Sequence, residues 1–480
     1  MGVKVGFGSA DLWGTWQTSQ KLEDEITAQA TVVVDENGAA SGIVVADFPI
    51  MWPAIALGLR DSVADAISAD PGSVAVFATQ NHCGANVNPG SHDLQAVERA
   101  FIDAAREALG RTRPAVMAYV EASPSPPGVV NRRKVFGDLG AFTFWYGHEA
   151  RPDGTAGCAR ILEMTLRGLA TKDAYATKCP PGEEAECPQP SIPLPHIPHD
   201  TPLDGETDTL IQGIFFRTPS GEPIGSISRW PAHPATANVI GGGVTGDYPV
   251  YVRKRLREQF GGSALFLTGP CGNQSAVVPR KYLELAKKTG AFVANHLLRG
   301  LDSARWEDVE GTRAGSRSVD LPIRKDCPRC ERDANAQLTE AQQLLSRRRD
   351  EGADLRELKQ LADQVELLTY YAHGDETRWT GVTFDDIASG SVTHPLFALR
   401  LGRTVIAGMP GEPFGKYSMR LREACYDVKL VTAEQCNGYL SYIPTADQYP
   451  LGGYGVCAAL LAPEAEEVFL REIPELVRSL

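Results

Sequence analysis

Short apolar runs recur along the chain at residues 43–47, 74–79, 224–230, 264–268, 404–407 and 428–431, each of strand length. Stretches with apolar residues at helical spacing fall between them, at 54–67, 248–260 and 415–425. The first carries Ile55, Leu57, Leu59, Val63 and Ile67 on one side. Strand, helix and strand thus follow one another three times, which predicts parallel βαβ units. The fold class expected is α/β, with mixed sheets built from repeated βαβ units and a helical-hairpin insertion. Each unit ends in a polar loop, and such loops gather at the carboxyl edge of a sheet. His82, His233, Ser275, Glu412 and Tyr442 are therefore expected to meet.

Two stretches break the pattern. Residues 174–207 are rich in proline and polar groups, from Pro180-Pro181-Gly182 to Pro202, and predict a lid or cover loop. Residues 330–375 predict two helices, at 334–348 and 355–371, turning at Asp350-Glu351-Gly352. Their charge places this hairpin at the surface, packed at an edge or used to form a homo-oligomer. The whole of 1–480 is otherwise expected to be one catalytic domain.

Composition narrows the partners. A net charge of −13 argues against nucleic acid and anionic membrane. No run approaches the roughly 20 apolar residues of a membrane span, so no stable membrane insertion is expected. The start, Met1-Gly2-Val3-Lys4-Val5, lacks an apolar leader, and a cytoplasmic protein with reduced thiols is the expectation. Cys83, Cys271, Cys425, Cys436 and Cys457 lie in or beside apolar segments and are read as buried thiols. Cys179, Cys187, Cys327 and Cys330 lie in polar stretches. Cys327-Pro-Arg-Cys330 reads as half of a zinc knuckle completed by Cys179 and Cys187, as free thiols, or as a redox pair.

Chemistry collects in the loops. Gln80-Asn81-His82 follows the second strand; two apart on extended backbone, Gln80 and His82 are expected to face the same way. The plain alternative is a polar cap on a buried strand. His233 stands between Pro231 and Pro234, which fix where its imidazole points; alone it would read as a satisfied loop histidine. Asp247 follows as a helix cap or as the group that orients an imidazole. Glu412 occupies the tight turn Met409-Pro410-Gly411-Glu412-Pro413 and is read as a metal ligand over a helix cap. Tyr442 and Tyr454 flank a tyrosine-rich loop, suited to ligation, oxyanion donation or simple packing.

In this order the segments resemble the neutral/alkaline, non-lysosomal ceramidase family of zinc-dependent amidases. The family's Thr-His-Thr-His-Ser-Gly is similar to Thr79-Gln80-Asn81-His82-Cys83-Gly84, and its Asn-Arg-Ser to Asn131-Arg132-Arg133. Its Ala-x-His-Pro-Thr resembles Pro231-Ala232-His233-Pro234-Ala235, its Gly-Asp-Val-Ser-Pro resembles Gly272 to Ala276, and its Pro-Gly-Glu resembles Pro410-Gly411-Glu412. Its Tyr-Val-Thr-Thr stretch, with a second tyrosine twelve residues on, is similar to Tyr442 and Tyr454. The resemblance implies Zn2+ held by His233, Glu412 and Tyr442, an oxyanion or substrate role for Tyr454, a polar site residue at Ser275 and a substrate contact at Arg132. The family's remaining ligand falls on Gln80. An amide oxygen is a poor zinc ligand, so three outcomes stand: His82 enters the metal shell, Gln80 ligates weakly, or metal is lost. The chemistry favours His82. The chain stops soon after the tyrosine loop, so it is expected to lack the immunoglobulin-like tail of secreted ceramidases.

The function expected is a zinc-dependent hydrolase cleaving the carbon–nitrogen bond of a small-molecule N-acyl substrate, ceramide-like or a smaller polar amide. Acyl transfer or cyclisation at the same site is one alternative. A metal-free ligand-binding pseudoenzyme is the other.

Overall fold

The computed structural model describes residues 2–15, 20–84, 93–144, 203, 205–237, 243–277, 282–372 and 382–480, with the backbone of a small ribbon at Glu149–Ala150 and Ala156–Gly157. Most of the proposed lid at 174–207, the end of the hairpin at 373–375, and Cys179 and Cys187 lie outside the described residues.

Three mixed sheets form the frame. The first runs Val74–Ala78, Ala40–Ala46, Thr27–Val34, Lys4–Asp11, Arg113–Pro114; the second runs Ser263–Thr268, Pro223–Trp230, Ile211–Arg217, Val116–Ala122, Trp306–Asp308. The third runs Arg313–Pro322, Ser391–Leu401, Thr404–Gly408, Lys429–Ala433. Each holds a single parallel pair at one edge, and each pair is a βαβ unit expected from the periodicity: Ala46 aligns with Ala78, Trp230 with Thr268, and Gly408 with Ala433. The remaining pairings are antiparallel, which is why the sheets are mixed.

Period-two alternation decides the layers. Ile43, Val45, Ala75 and Phe77 of the first sheet share a core with Ile227, Leu265 and Leu267 of the second and Phe397, Ile406 and Val431 of the third. The intervening residues face outward onto helices. Val44, Val74 and Val76 pack on helices Pro53–Ile67 and Leu94–Gly110. Phe215 and Phe266 pack on Asp247–Gln259 and Leu283–Leu301; Leu396 and Val405 pack on Lys416–Ala424 and Ala465–Ser479.

The hairpin is present as Glu331–Asp350 and Leu355–Tyr371. Asp354 caps the second helix by accepting the Glu357 N–H at 2.9 Å. The first helix buries only Ala334 and Ala341, whereas the second sends Tyr371 fully into the apolar cluster of Leu396 and Val405 on the third sheet. Cys327 is also buried, donating its thiol to the Arg324 carbonyl oxygen, although its polar surroundings in sequence suggested otherwise. Among the described residues no helix is long and apolar enough to cross a membrane.

Candidate active site

The polar loops leave the three parallel pairs at the same ends and converge. The chain past Val74–Ala78 does not stay extended: Gln80 has φ +64° and lies in the left-handed region. The expected common orientation of Gln80 and His82 therefore fails. Gln80 is buried, its N–H donating to the Phe48 carbonyl oxygen at 2.9 Å, while His82 is exposed. The His82 N–H reaches the Pro234 carbonyl oxygen at 3.0 Å, tying this loop to the one that carries His233.

His233 is buried, and its backbone bridges to Ser275, itself on the short strand Gln274–Ala276 paired with Val129–Asn131. The Nε2 atoms of His82 and His233 approach to 2.7 Å. Glu412 Oε2 stands 3.9 Å from His233 Nε2. Glu412 is held on a two-residue strand parallel to Tyr442–Ile443, so acid and phenol sit side by side. Glu412 caps no helix; Lys416–Ala424 instead has the Gly415 N–H donating to Asn273 Oδ1 at 2.8 Å. Arg132 is buried and donates through one Nη2 to the Gly272 carbonyl oxygen at 2.8 Å and the Tyr442 hydroxyl at 3.1 Å. This holds the phenol in place. Tyr454 packs edge-on against Tyr442, ring centres 5.3 Å apart, and Tyr370 from the hairpin packs on its other side at 5.9 Å. An element read as a surface insertion thus forms a wall of the site.

Burial pushes the Glu412 carboxyl up to about 7, against the pull of the Arg132 charge, the phenols of Tyr442 and Tyr439 and the Gln80 amide. Arg132 is held above its usual range: burial opposes its charge, but Tyr442, Glu412, Cys271 and Tyr454 outweigh it. Burial also holds Tyr442 well above the usual phenol value.

Two residues not singled out as site groups belong here. Cys271 Sγ is within donating distance of Glu434 Oε1 at 3.2 Å and Gln80 Oε1 at 3.3 Å, and lies 3.6 Å from His233 Nδ1. Its N–H donates to Glu434 Oε2 at 2.9 Å, and burial holds the Glu434 carboxyl well above the carboxylate range. The signal in the sequence is positional: Glu434 is the first residue past Lys429–Ala433, as Thr79 is past Val74–Ala78. Asp247 orients no imidazole directly. Its carboxylate accepts the N–H groups of Thr236, Ala237 and Tyr248 at 2.9, 2.8 and 2.6 Å, bracing the loop after His233.

The donor set suits zinc in kind. Glu412 Oε2 is buried and has no hydrogen-bond partner among the described residues, as an oxygen reserved for a cation would be. Donors around tetrahedral zinc at about 2.0–2.1 Å lie about 3.3 Å apart, and the 2.7 and 3.9 Å separations straddle that value. Among the described residues no three His, Cys, Asp or Glu side chains close into a preformed cage.

No family profile and no curated protein matches the chain. Two solved structures share its architecture. One, a ceramidase complexed with C2, is 15% identical with a TM-score of 0.64, over 100% of this chain and 76% of its own. The other, the neutral ceramidase of Pseudomonas aeruginosa, is 16% identical with a TM-score of 0.63, over 99% of this chain and 74% of its own. The fold is that of the neutral ceramidases.

Proposed function

We propose that the protein is a zinc-dependent hydrolase of a carbon–nitrogen amide bond in an N-acylated small molecule. One observation carries this reading: on a ceramidase fold, the Nε2 atoms of His82 and His233 converge beside the buried, unpartnered Oε2 of Glu412. His82, His233, Glu412 and Tyr442 would hold the metal. Gln80 is left out of the set because an amide oxygen is a poor zinc ligand and its Oε1 is turned toward the Cys271 thiol at 3.3 Å. When bound, zinc supplies Lewis acidity toward water and the amide carbonyl.

The chain's own residues do the rest. Cys271 Sγ approaches the His233 imidazole at Nδ1, and the Gln274 carbonyl oxygen accepts the His233 backbone N–H at 3.3 Å, which holds the loop beneath the ring. Arg132 holds Tyr442. Tyr454, half-buried, offers a hydroxyl to the carbonyl oxygen as negative charge develops there. The water oxygen bonds to the carbonyl carbon, the C–N bond breaks, and the amine leaves with the proton that water gives up.

Elemental analysis of protein purified without added metal should find about one zinc per chain, and His233→Ala or Glu412→Ala should remove it. A screen of N-acyl compounds should then give zinc-dependent release of free amine. Folded wild-type protein without metal would overturn the reading and leave a ligand-binding module in its place.

A further inference from the structure

Arg133 follows Arg132 directly, yet its surroundings are different. Its guanidinium is buried, and neither Nη1 nor Nη2 has a hydrogen-bond partner among the described residues. The rest of the residue is fastened. Its N–H donates to Asn131 Oδ1 at 2.9 Å, its Nε donates to Gln448 Oε1 at 3.2 Å, and its Cζ lies 5.6 Å from the centre of the Phe414 ring. Gly453 keeps one side open, since a Cβ there would stand 3.1 Å from Nη1.

A second unused donor stands alongside. Arg133–Val135 pairs antiparallel with Ala141–Thr143, and Arg133 is directly opposite Thr143. Opposed residues of such a pair project to the same face. The Thr143 hydroxyl is buried and also without a partner among the described residues.

The carboxylates nearby are committed elsewhere. Asp363 accepts Lys359 Nζ at 2.5 Å and the Gly453 N–H at 3.1 Å; Asp447 accepts Gln448 Nε2 at 3.0 Å and lies 3.6 Å from Lys416 Nζ. Among the described residues none forms an ion pair with Arg133. Burial pushes the guanidinium down to about 10, which leaves it charged at neutral pH. A buried charge without a counter-ion is costly, and so is each orphaned buried donor. Donors without acceptors call for an anion, and a guanidinium whose two terminal nitrogens are open matches a carboxylate or one edge of a phosphate.

We propose that Arg133 and Thr143 bind an anionic oxygen group, carboxylate or phosphate, carried by the substrate or product. The assignment to substrate rests on the amide-hydrolase reading; the anion site itself does not. Phe414, which lies against Arg133, also packs with Tyr442 and Tyr454, so the subsite adjoins the proposed reaction centre. The third position of the Asn-Arg-Ser element, a serine in the ceramidase pattern, is arginine here, so the preference belongs to this chain.

The test has two arms. In the first, phosphate or acetate replaces chloride at constant ionic strength, and thermal unfolding is followed. Wild type should gain about 2 °C or more with at least one anion; Arg133→Gln should lose that gain and Thr143→Val should reduce it. No gain in wild type, or an equal gain in Arg133→Gln, overturns the site. If Arg133→Gln does not fold, Arg133→Lys and Thr143→Val carry the comparison. In the second arm, kcat/KM is compared for N-dodecanoylglycine, N-dodecanoyl-phosphoethanolamine and the neutral N-dodecanoylglycinamide. An anionic compound should lead by about tenfold in wild type, the effect of one charge-assisted contact, and Arg133→Gln should bring the ratio toward one. Equal rates in wild type overturn the substrate assignment. An Arg133-dependent thermal gain with no turnover of any amide instead sinks the hydrolase reading and keeps the anion site.

Discussion

Asp247 opens a helix at φ +55°, where an L residue is strained, and its carboxylate explains why it stays there. Thr236 Oγ1 donates to it at 2.5 Å in addition to the three backbone N–H groups, so one side chain ties the loop after His233 to the helix. Asp247→Ala orphans those donors; a stability loss of about 2–4 kcal/mol is expected in urea unfolding, together with weakened zinc retention. A variant as stable as wild type would show that the brace is dispensable. Residue types at this scale were legible in the sequence, directions were not. His82 and Gln80 were identified as site candidates, but a left-handed φ at Gln80 cannot be inferred from a glutamine, and it reverses the expected alternation.

At the scale of elements, the turn before Glu412 and the loop after Lys429–Ala433 build the site together. Gly411 has φ +55°, and a Cβ there would lie 2.4 Å from the Ser441 carbonyl oxygen. The Glu412 N–H donates to that same oxygen at 2.9 Å. Gly411→Ala should therefore push Glu412 away from Tyr442; about 2–4 kcal/mol of stability should be lost, with the metal content falling as well. Full metal occupancy in that variant would show that the turn tolerates the methyl. The strands and helices of the three βαβ units were readable because their period is local. The left-handed residues Gln435, Asn437 and Ser441 were not, because they are held by partners distant in sequence: Gln435 by Gly411, Asn437 by Val76 and Ser441 by Glu412. The hairpin helices were equally readable from their period, but not that Tyr370 would meet Tyr454.

At the scale of the molecule, buried ion pairs join what the sheets leave separate. Arg253, on the helix after the His233 loop, makes two 2.7 Å hydrogen bonds to Asp47 at the end of the first sheet's edge pair. Arg229 similarly meets Asp208 at 2.8 Å and donates to the Thr432 carbonyl oxygen of the third sheet at 3.0 Å. Arg253→Met would leave Asp47 buried without its cation, a loss of about 3–5 kcal/mol by chemical denaturation. Because Asp47 also accepts the Thr27 N–H at 3.0 Å and Asn81 Nδ2 donates to its carbonyl oxygen at 2.7 Å, the loop of His82 should loosen in parallel. An unchanged denaturation midpoint would remove this pair from the account of how the lobes hold together.

The sequence by itself determined the three βαβ units, the hairpin helices and the residue types able to meet at the carboxyl ends of the strands. Those follow from periodicity and from chemistry carried within a few residues. Only the tertiary structure decided that Gln80 turns inward to Cys271 while His82 reaches His233, that Tyr370 walls the tyrosine loop, and that Arg133 is buried with no counter-ion among the described residues. Each of these depends on contacts between segments far apart in the chain, where packing and desolvation outweigh local preference.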